Sequence, residues 1–168
     1  MVLTKSELIG SLKHEVRILV HLAGKIETQM VDYRPTPKQR STLELLKYMS
    51  IMGPGLVQAA KAGGFDPAVW TEKQKEAEAR NFDQTVAAIA AQGDAYAQLL
   101  GDMSEADLRA EIEMFGSKMS RGAFIVSMVL GGHAAYRTQL FLYLKSCGRD
   151  ELSTMNLWRG ADAPAAAV

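Results

Sequence analysis

Only one cysteine, Cys147, stands among the 168 residues, so no disulfide can form within the chain. A lone thiol fits a reducing compartment, and no base or electropositive run stands beside this one to activate it. Excess charge is missing as well: Lys and Arg number 19, and so do Asp and Glu. Without a basic footprint, nucleic acid and anionic membrane surfaces are excluded as partners. Long apolar runs are also absent. The most apolar stretch, 121–147, carries Arg121, His133 and Arg137, too many polar groups for a membrane span. Lys5 and Glu7 interrupt what would have to be a signal-peptide core. The expected setting is therefore cytoplasmic, with no membrane partner. Common catalytic signatures are missing: Cys-x-x-Cys, a glycine-rich phosphate loop, Gly-x-Ser-x-Gly, His-Glu-x-x-His and paired Glu-x-x-His.

What the chain does contain is helical periodicity. Thr4-Lys5-Ser6-Glu7 is a capping box, and Leu8, Leu12, Val16, Leu19, Leu22 and Ile26 follow on one face. His14 and His21, seven apart, fall on a half-exposed edge of that helix rather than in a ligand set. Pro35 and Pro37 end regular structure before a second capping box, Ser41-Thr42-Leu43-Glu44. Leu45, Met49, Met52 and Leu56 form the stripe of helix two, in which Gly53-Pro54-Gly55 predicts a kink or a break. Gly63-Gly64 predicts its left-handed stop. Residues 65–80 read as a polar connection with Val69 and Trp70 pinned on the body. Helix three spans about 81–100, with Phe82, Val86, Ile89, Tyr96 and Leu99 or Leu100 inward. Residues 109–117 partly alternate and suit a short extended piece. Helix four spans about Ser120 to Ser146 and stops at Gly148; Leu157 and Trp158 then dock. The expectation is one all-α domain, a four-helix bundle over residues 1–160, with 161–168 a flexible tail.

The polar interruption of helix four is the chemical candidate. His133, Tyr136 and Arg137 stand at i, i+3 and i+4 and share a face. Gly131 and Gly132 precede them, each costing about 1 kcal/mol in a helix interior relative to Ala. Close approach of a backbone or a ligand would offset that cost. Two readings stay open: a buried His133 satisfied by a carbonyl with the glycines admitting a neighbour, or a polar cavity with His133 as base or ligand and Arg137 holding an anion.

The run Ser41-Thr42-Leu43-Glu44-Leu45-Leu46-Lys47-Tyr48, after Tyr33-Arg34-Pro35, resembles the start of helix two in the DinB-like superfamily. Arg137-Thr138-Gln139-Leu140 is similar to that family's Arg-Gly-Gln-Leu segment, and Leu157-Trp158-Arg159-Gly160 fits its terminus. The resemblance implies a DinB-like four-helix bundle with a long connection between helices two and three. It also implies, for the thiol-transferase members, three histidines around a divalent ion at the positions held here by Tyr48, Gly132 and Tyr136. None is a histidine, and His133 stands one place from Gly132, about 100° around the axis. No metal ligands and no cofactor are therefore expected, with zinc or nickel as the alternative. The candidate pocket is Tyr48, His133, Tyr136 and Arg137. The functional expectation is a metal-free protein that binds a small molecule or acts as a stress-related accessory, as a homodimer. A metal-dependent transferase acting on a low-molecular-weight thiol is the first alternative. A structural homodimer packing through its Gly131-Gly132 face is the second.

Overall fold

Two reciprocal capping boxes set the first long helices. Thr4 Oγ1 accepts from Glu7 N at 3.2 Å while Glu7 accepts from Thr4 N at 2.8 Å, opening α1, Lys5–Ala23. Ser41 and Glu44 do the same for α2, Thr42–Ala62. The computed structural model describes residues 3–164.

Gly53-Pro54-Gly55 does not break α2, which runs unbroken to a left-handed Gly63 at φ 84°. Tertiary contact holds it: Gly53 backs on Tyr96 and His133, and a Cβ on Gly55 would sit 3.0 Å from the Trp70 ring. Residues expected to be a bare connection form a helix, α3, Pro67–Glu78. Asp66 caps it by accepting from Ala68 N and Val69 N, and Pro67 takes the first turn, where its missing N–H costs nothing. Its polarity reflects its place as an outer layer, with Ala77 its one buried residue. Helix three is interrupted at Ala91 into α4, Phe82–Ala90, and α5, Gln92–Gly101.

After α6, Glu105–Arg109, comes the one departure from an all-α expectation among the described residues. Strands β1, Glu111–Met114, and β2, Ser117–Ser120, pair antiparallel with Ile112 opposite Met119. Ile112 and Met114 point inward. The two-residue turn puts both Phe115 and Gly116 at positive φ, 53° and 76°, the twist a tight hairpin needs.

The last long helix joins α7, Arg121–Phe124, a π-helical stretch Ile125–Leu130, and α8, Gly131–Ser146, with right-handed helical geometry at every join. The short α9, Thr154–Arg159, closes the chain. Gly160 follows it at φ 59°, and a Cβ there would lie 3.0 Å from Ile18 Cα, so only glycine lets this turn rest on α1. His14 and His21 anchor the same piece, through the Trp158 carbonyl and the Asn156 amide. Within the segment expected to be a flexible tail, Asp162 pairs with Lys25 at 2.7 Å; residues 165–168 lie outside the described residues.

The chain is mostly helical. α1 and α2 each pack on α4–α5 and on the 121–146 helix. Leu12, Met52, Tyr96, Leu100 and Phe124 fill one half of the core; Leu19, Leu45, Met49, Ile89 and Leu140 fill the other. At roughly 1.5–3 kcal/mol per fully buried large side chain, these stripes supply the main stabilisation. No described helix is long and apolar enough to cross a membrane.

Candidate functional site

Tyr48 on α2 and Tyr136 on α8 meet edge to face, ring centroids 5.1 Å apart, at the rim of the body. Trp70 of α3 stands 6.3 Å from Tyr48 on another side, and the Arg40 guanidinium lies 4.1 Å above the Tyr48 ring. Burial, and then the neighbouring Tyr136 hydroxyl, push the Tyr48 phenol up to about 12, so it stays protonated at neutral pH. Beside it a groove of about 400 Å³ opens between α2 and α3, lined by Arg40, Glu44, Lys47, Tyr48, Gln74 and Glu78. Glu44 is already engaged by Ser41 N and by Arg34 at 3.3 Å, and Lys47 donates to the Glu78 carbonyl at 2.7 Å. Arg40 forms no ion pair among the described residues, and its positive charge is held in place by the tyrosine face alone.

His133 is elsewhere. It is 0 % exposed, one turn deeper, and its Nε2 lies 2.5 Å from Tyr96 Oη. Tyr96 in turn reaches Gln92 Oε1 at 3.4 Å, and Gln92 Nε2 donates to the Met49 carbonyl at 2.7 Å. The network assigns the tautomer: with the proton on Nε2, His133 donates to Tyr96, Tyr96 to Gln92 and Gln92 to Met49, each hydrogen finding its own acceptor. Nδ1 is then an unprotonated acceptor, and it has no partner. Burial lowers the His133 pKa to about 4 and raises that of Tyr96 above its ordinary value, so both groups are neutral. Gly53 makes the space. A Cβ there would overlap the Tyr96 phenol and come within 2.7 Å of His133 Nε2.

Arg137 faces a third direction. Its Nε contacts Glu15 Oε2 at 2.6 Å, as a close ion contact rather than an aligned hydrogen bond, and both side chains are buried. One of its terminal nitrogens donates to the Leu157 carbonyl, and the guanidinium lies 4.8 Å from the Trp158 ring. Burial pushes the Glu15 carboxyl up while Arg137 pulls it back. Of the four sequence candidates, the structure thus brings Tyr48 and Tyr136 together and places His133 and Arg137 in two separate interior networks.

No protein-family model matches the chain, and no curated protein matches it in sequence. Among solved structures, a DinB-like protein from Bacillus subtilis, YjoA, matches with a TM-score of 0.70, covering 87 % of this chain and 95 % of that chain at 19 % identity. The fold is DinB-like.

In the DinB-like frame, the positions where the sequence resemblance implies histidines can be tested against their neighbours. Tyr48 and Tyr136 face one another, and Gly132 faces Met52, whose Cε and Sδ would lie 3.2 and 3.4 Å from a Cβ on that glycine. Two tyrosine side chains and a thioether are a donor set foreign to zinc or nickel. The π-helical stretch just before Gly131 does not turn His133 onto this face. Among the described residues, no three of His, Cys, Asp and Glu gather in a metal-binding group.

Sequence reasoning missed Glu15, Gly53, Gln92 and Arg40. Glu15 carried a readable signal: with Leu8, Leu12, Leu19 and Leu22 it falls in one heptad-spaced stripe, and a carboxylate there asks for a buried cation. Gly53 was visible as a helix-interior glycine, but its use as a cradle depends on Tyr96 and His133, which lie far along the chain. Arg40 gave no local signal.

Proposed function

We propose that the chain is a four-helix bundle of the DinB-like type, with α3 as the long connection between its second and third helices, that lacks the three-histidine site and binds a small organic anion without a metal. One observation carries this reading: an Arg40 guanidinium with no carboxylate partner is poised over the Tyr48 ring at the mouth of the α2–α3 groove. An aryl or alkyl phosphate or carboxylate matches that chemistry, its charge meeting Arg40 and its apolar part lying along Tyr48 and Ile51. The half-buried Cys147 suits a cytoplasmic setting. The thiol-transferase alternative draws no support from His133, which is sealed from solvent and already bonded to Tyr96.

Trp70 makes the reading testable, because it stands 6.3 Å from Tyr48. In a Trp158→Phe background, titration with phenyl phosphate and with benzoate should change Trp70 fluorescence saturably, and Arg40→Gln should abolish the response. No saturable change at millimolar concentration with either anion overturns the anion site. Near-stoichiometric zinc or nickel that raises the melting temperature overturns the metal-free reading.

A further inference from the structure

A second cleft lies farther along the same helix pair, between the C-terminal half of α2 and the start of α3. It encloses about 230 Å³, more than the roughly 150 Å³ that holds a benzene ring. Its floor is α2 at Gly55, Ala59 and Ala62, spaced by four and three so that these small residues share one face. Its walls are the rings of Phe65 and Trp70, centroids 5.6 Å apart and tilted by 48°. Gly55 sets the depth: a Cβ there would stand 3.0 Å from the Trp70 ring.

Apolar side chains stay uncovered at this end of the molecule. Val69, which lines the cleft, is 52 % exposed, and Phe115, 60 % exposed, holds its ring 5.1 Å from Phe65. Phe115 does so from a left-handed backbone at φ 53°, a conformation unfavourable for a bulky residue. Strain of this kind gathers where ligands are held.

The charges at the rim differ from those around them. Lys61 and Lys75 are paired, with Asp102 and Glu72. Asp66 and Lys73 both line the cleft, and neither forms an ion pair with the other or with any described residue. Asp66 Oδ1 caps α3 through Ala68 N and Val69 N, while Oδ2 accepts from no described residue. Lys73 Cδ would lie 3.6 Å from a Cβ on Gly55, so its stem runs along the wall at the level of the Trp70 ring. Asp66, Val69, Trp70 and Lys73 stand at i, i+3, i+4 and i+7, one face of α3.

A carboxylate and an ammonium thus stand at two ends of an aromatic slot. They are about 10 Å apart along the axis before the lysine stem leans back toward the N-terminus. That is room for the ammonium and carboxylate of one α-amino acid, each in a charge-assisted hydrogen bond of ~2.8 Å. An anion or a cation alone would leave one rim charge unmet.

We infer that this cleft binds a free aromatic α-amino acid, its ring against Phe65 and Trp70, its ammonium on Asp66 and its carboxylate on Lys73. The site uses no residue that lines the Arg40–Tyr48 groove and stands independently of the ligand reading there.

Trp70 fluorescence in the Trp158→Phe background tests it. L-Phenylalanine should give a saturable change at millimolar concentration. Hydrocinnamate lacks the ammonium, phenethylamine the carboxylate and L-alanine the ring. Each should bind about tenfold more weakly or worse, having lost one charge-assisted hydrogen bond or the buried ring. Lys73→Gln and Asp66→Asn should each weaken L-phenylalanine by a similar factor. Helical circular dichroism should stay unchanged, because asparagine caps a helix N-terminus as well as aspartate does. Arg40→Gln should leave this binding as it is. No saturable change with L-phenylalanine overturns the inference, and so does a fragment that binds as tightly. Normal binding by both charge variants overturns it too, as does loss of binding in Arg40→Gln, which would move the ligand to the other groove.

Discussion

Nε2 of His133 lies 2.5 Å from the phenol oxygen of Tyr96, 37 positions away in the chain, and both groups are buried. The contact joins α5 to α8 across Gly53 of α2, so three of the packed helices meet at one polar point. A neutral histidine is built into the core, and its cost depends on pH.

Above about pH 6.5 neither the folded nor the unfolded chain protonates this ring. Below that the unfolded ring takes a proton, while the folded ring, lowered to about 4, does not. Stability from this group is therefore full above 6.5 and is lost as pH falls through 4. At about 1.4 kcal/mol per unit of pKa difference, the loss is about 3 kcal/mol. Urea unfolding of the chain and of His133→Gln at several pH values checks it: the advantage of the histidine should shrink by that amount between pH 7 and 4. A constant difference would contradict a buried neutral imidazole.

Tyr96→Phe removes the group that His133 and Gln92 both face. The ring still packs, but His133 Nε2 loses its partner in the interior. The expected cost is about 1–3 kcal/mol, read from the urea midpoint.

Gly53→Ala should be more damaging than any ordinary glycine-to-alanine change in a helix. Propensity alone would favour alanine by about 1 kcal/mol. The added carbon instead collides with the Tyr96 phenol and His133 Nε2, neither of which is the loose end of a flexible chain. Net destabilisation of about 2–4 kcal/mol is expected, measured by thermal and denaturant unfolding. A stabilised variant would refute the packing described for this cradle.

Glu15 and Arg137 form a buried pair in contact at 2.6 Å. Removing one partner strands the other charge, so Glu15→Ala and Arg137→Ala should each cost about 3–5 kcal/mol. The double change to Glu15→Leu with Arg137→Met should cost less than the sum of the single changes. A double-mutant cycle with no coupling would show that the pair is not closed in solution.

The legible part of this protein was the part written in local spacing. Both capping boxes, the stripe of α1 from Leu8 to Leu22 and that of α2, the extent of the 121–146 helix and the stops at Gly63 and Gly148 follow from residues within a few positions of each other; Ile26, expected on the α1 stripe, lies past the end of that helix at Ala23. Periodicity and caps act over one or two turns, and one sequence suffices to read them. The amphipathic layer α3 was read as a connection because it buries little of itself, although Asp66-Pro67 carried its start signal. The hairpin at 111–120 was half visible, since Phe115 takes a turn position more often held by Asn or Gly.

The site divided along the same line. The sequence placed Tyr48 and Tyr136 as candidates through a family pattern, and the spacing of His133, Tyr136 and Arg137 put all three within one turn of a helix. Local spacing determined that these residues neighbour one another on α8. Only tertiary structure decided that they face three different ways: Tyr136 to Tyr48, His133 to Tyr96, Arg137 to Glu15. A helix advances about 100° per residue, so residues three and four apart diverge by up to about 60°, and the side chains arriving from other helices select which direction each one takes.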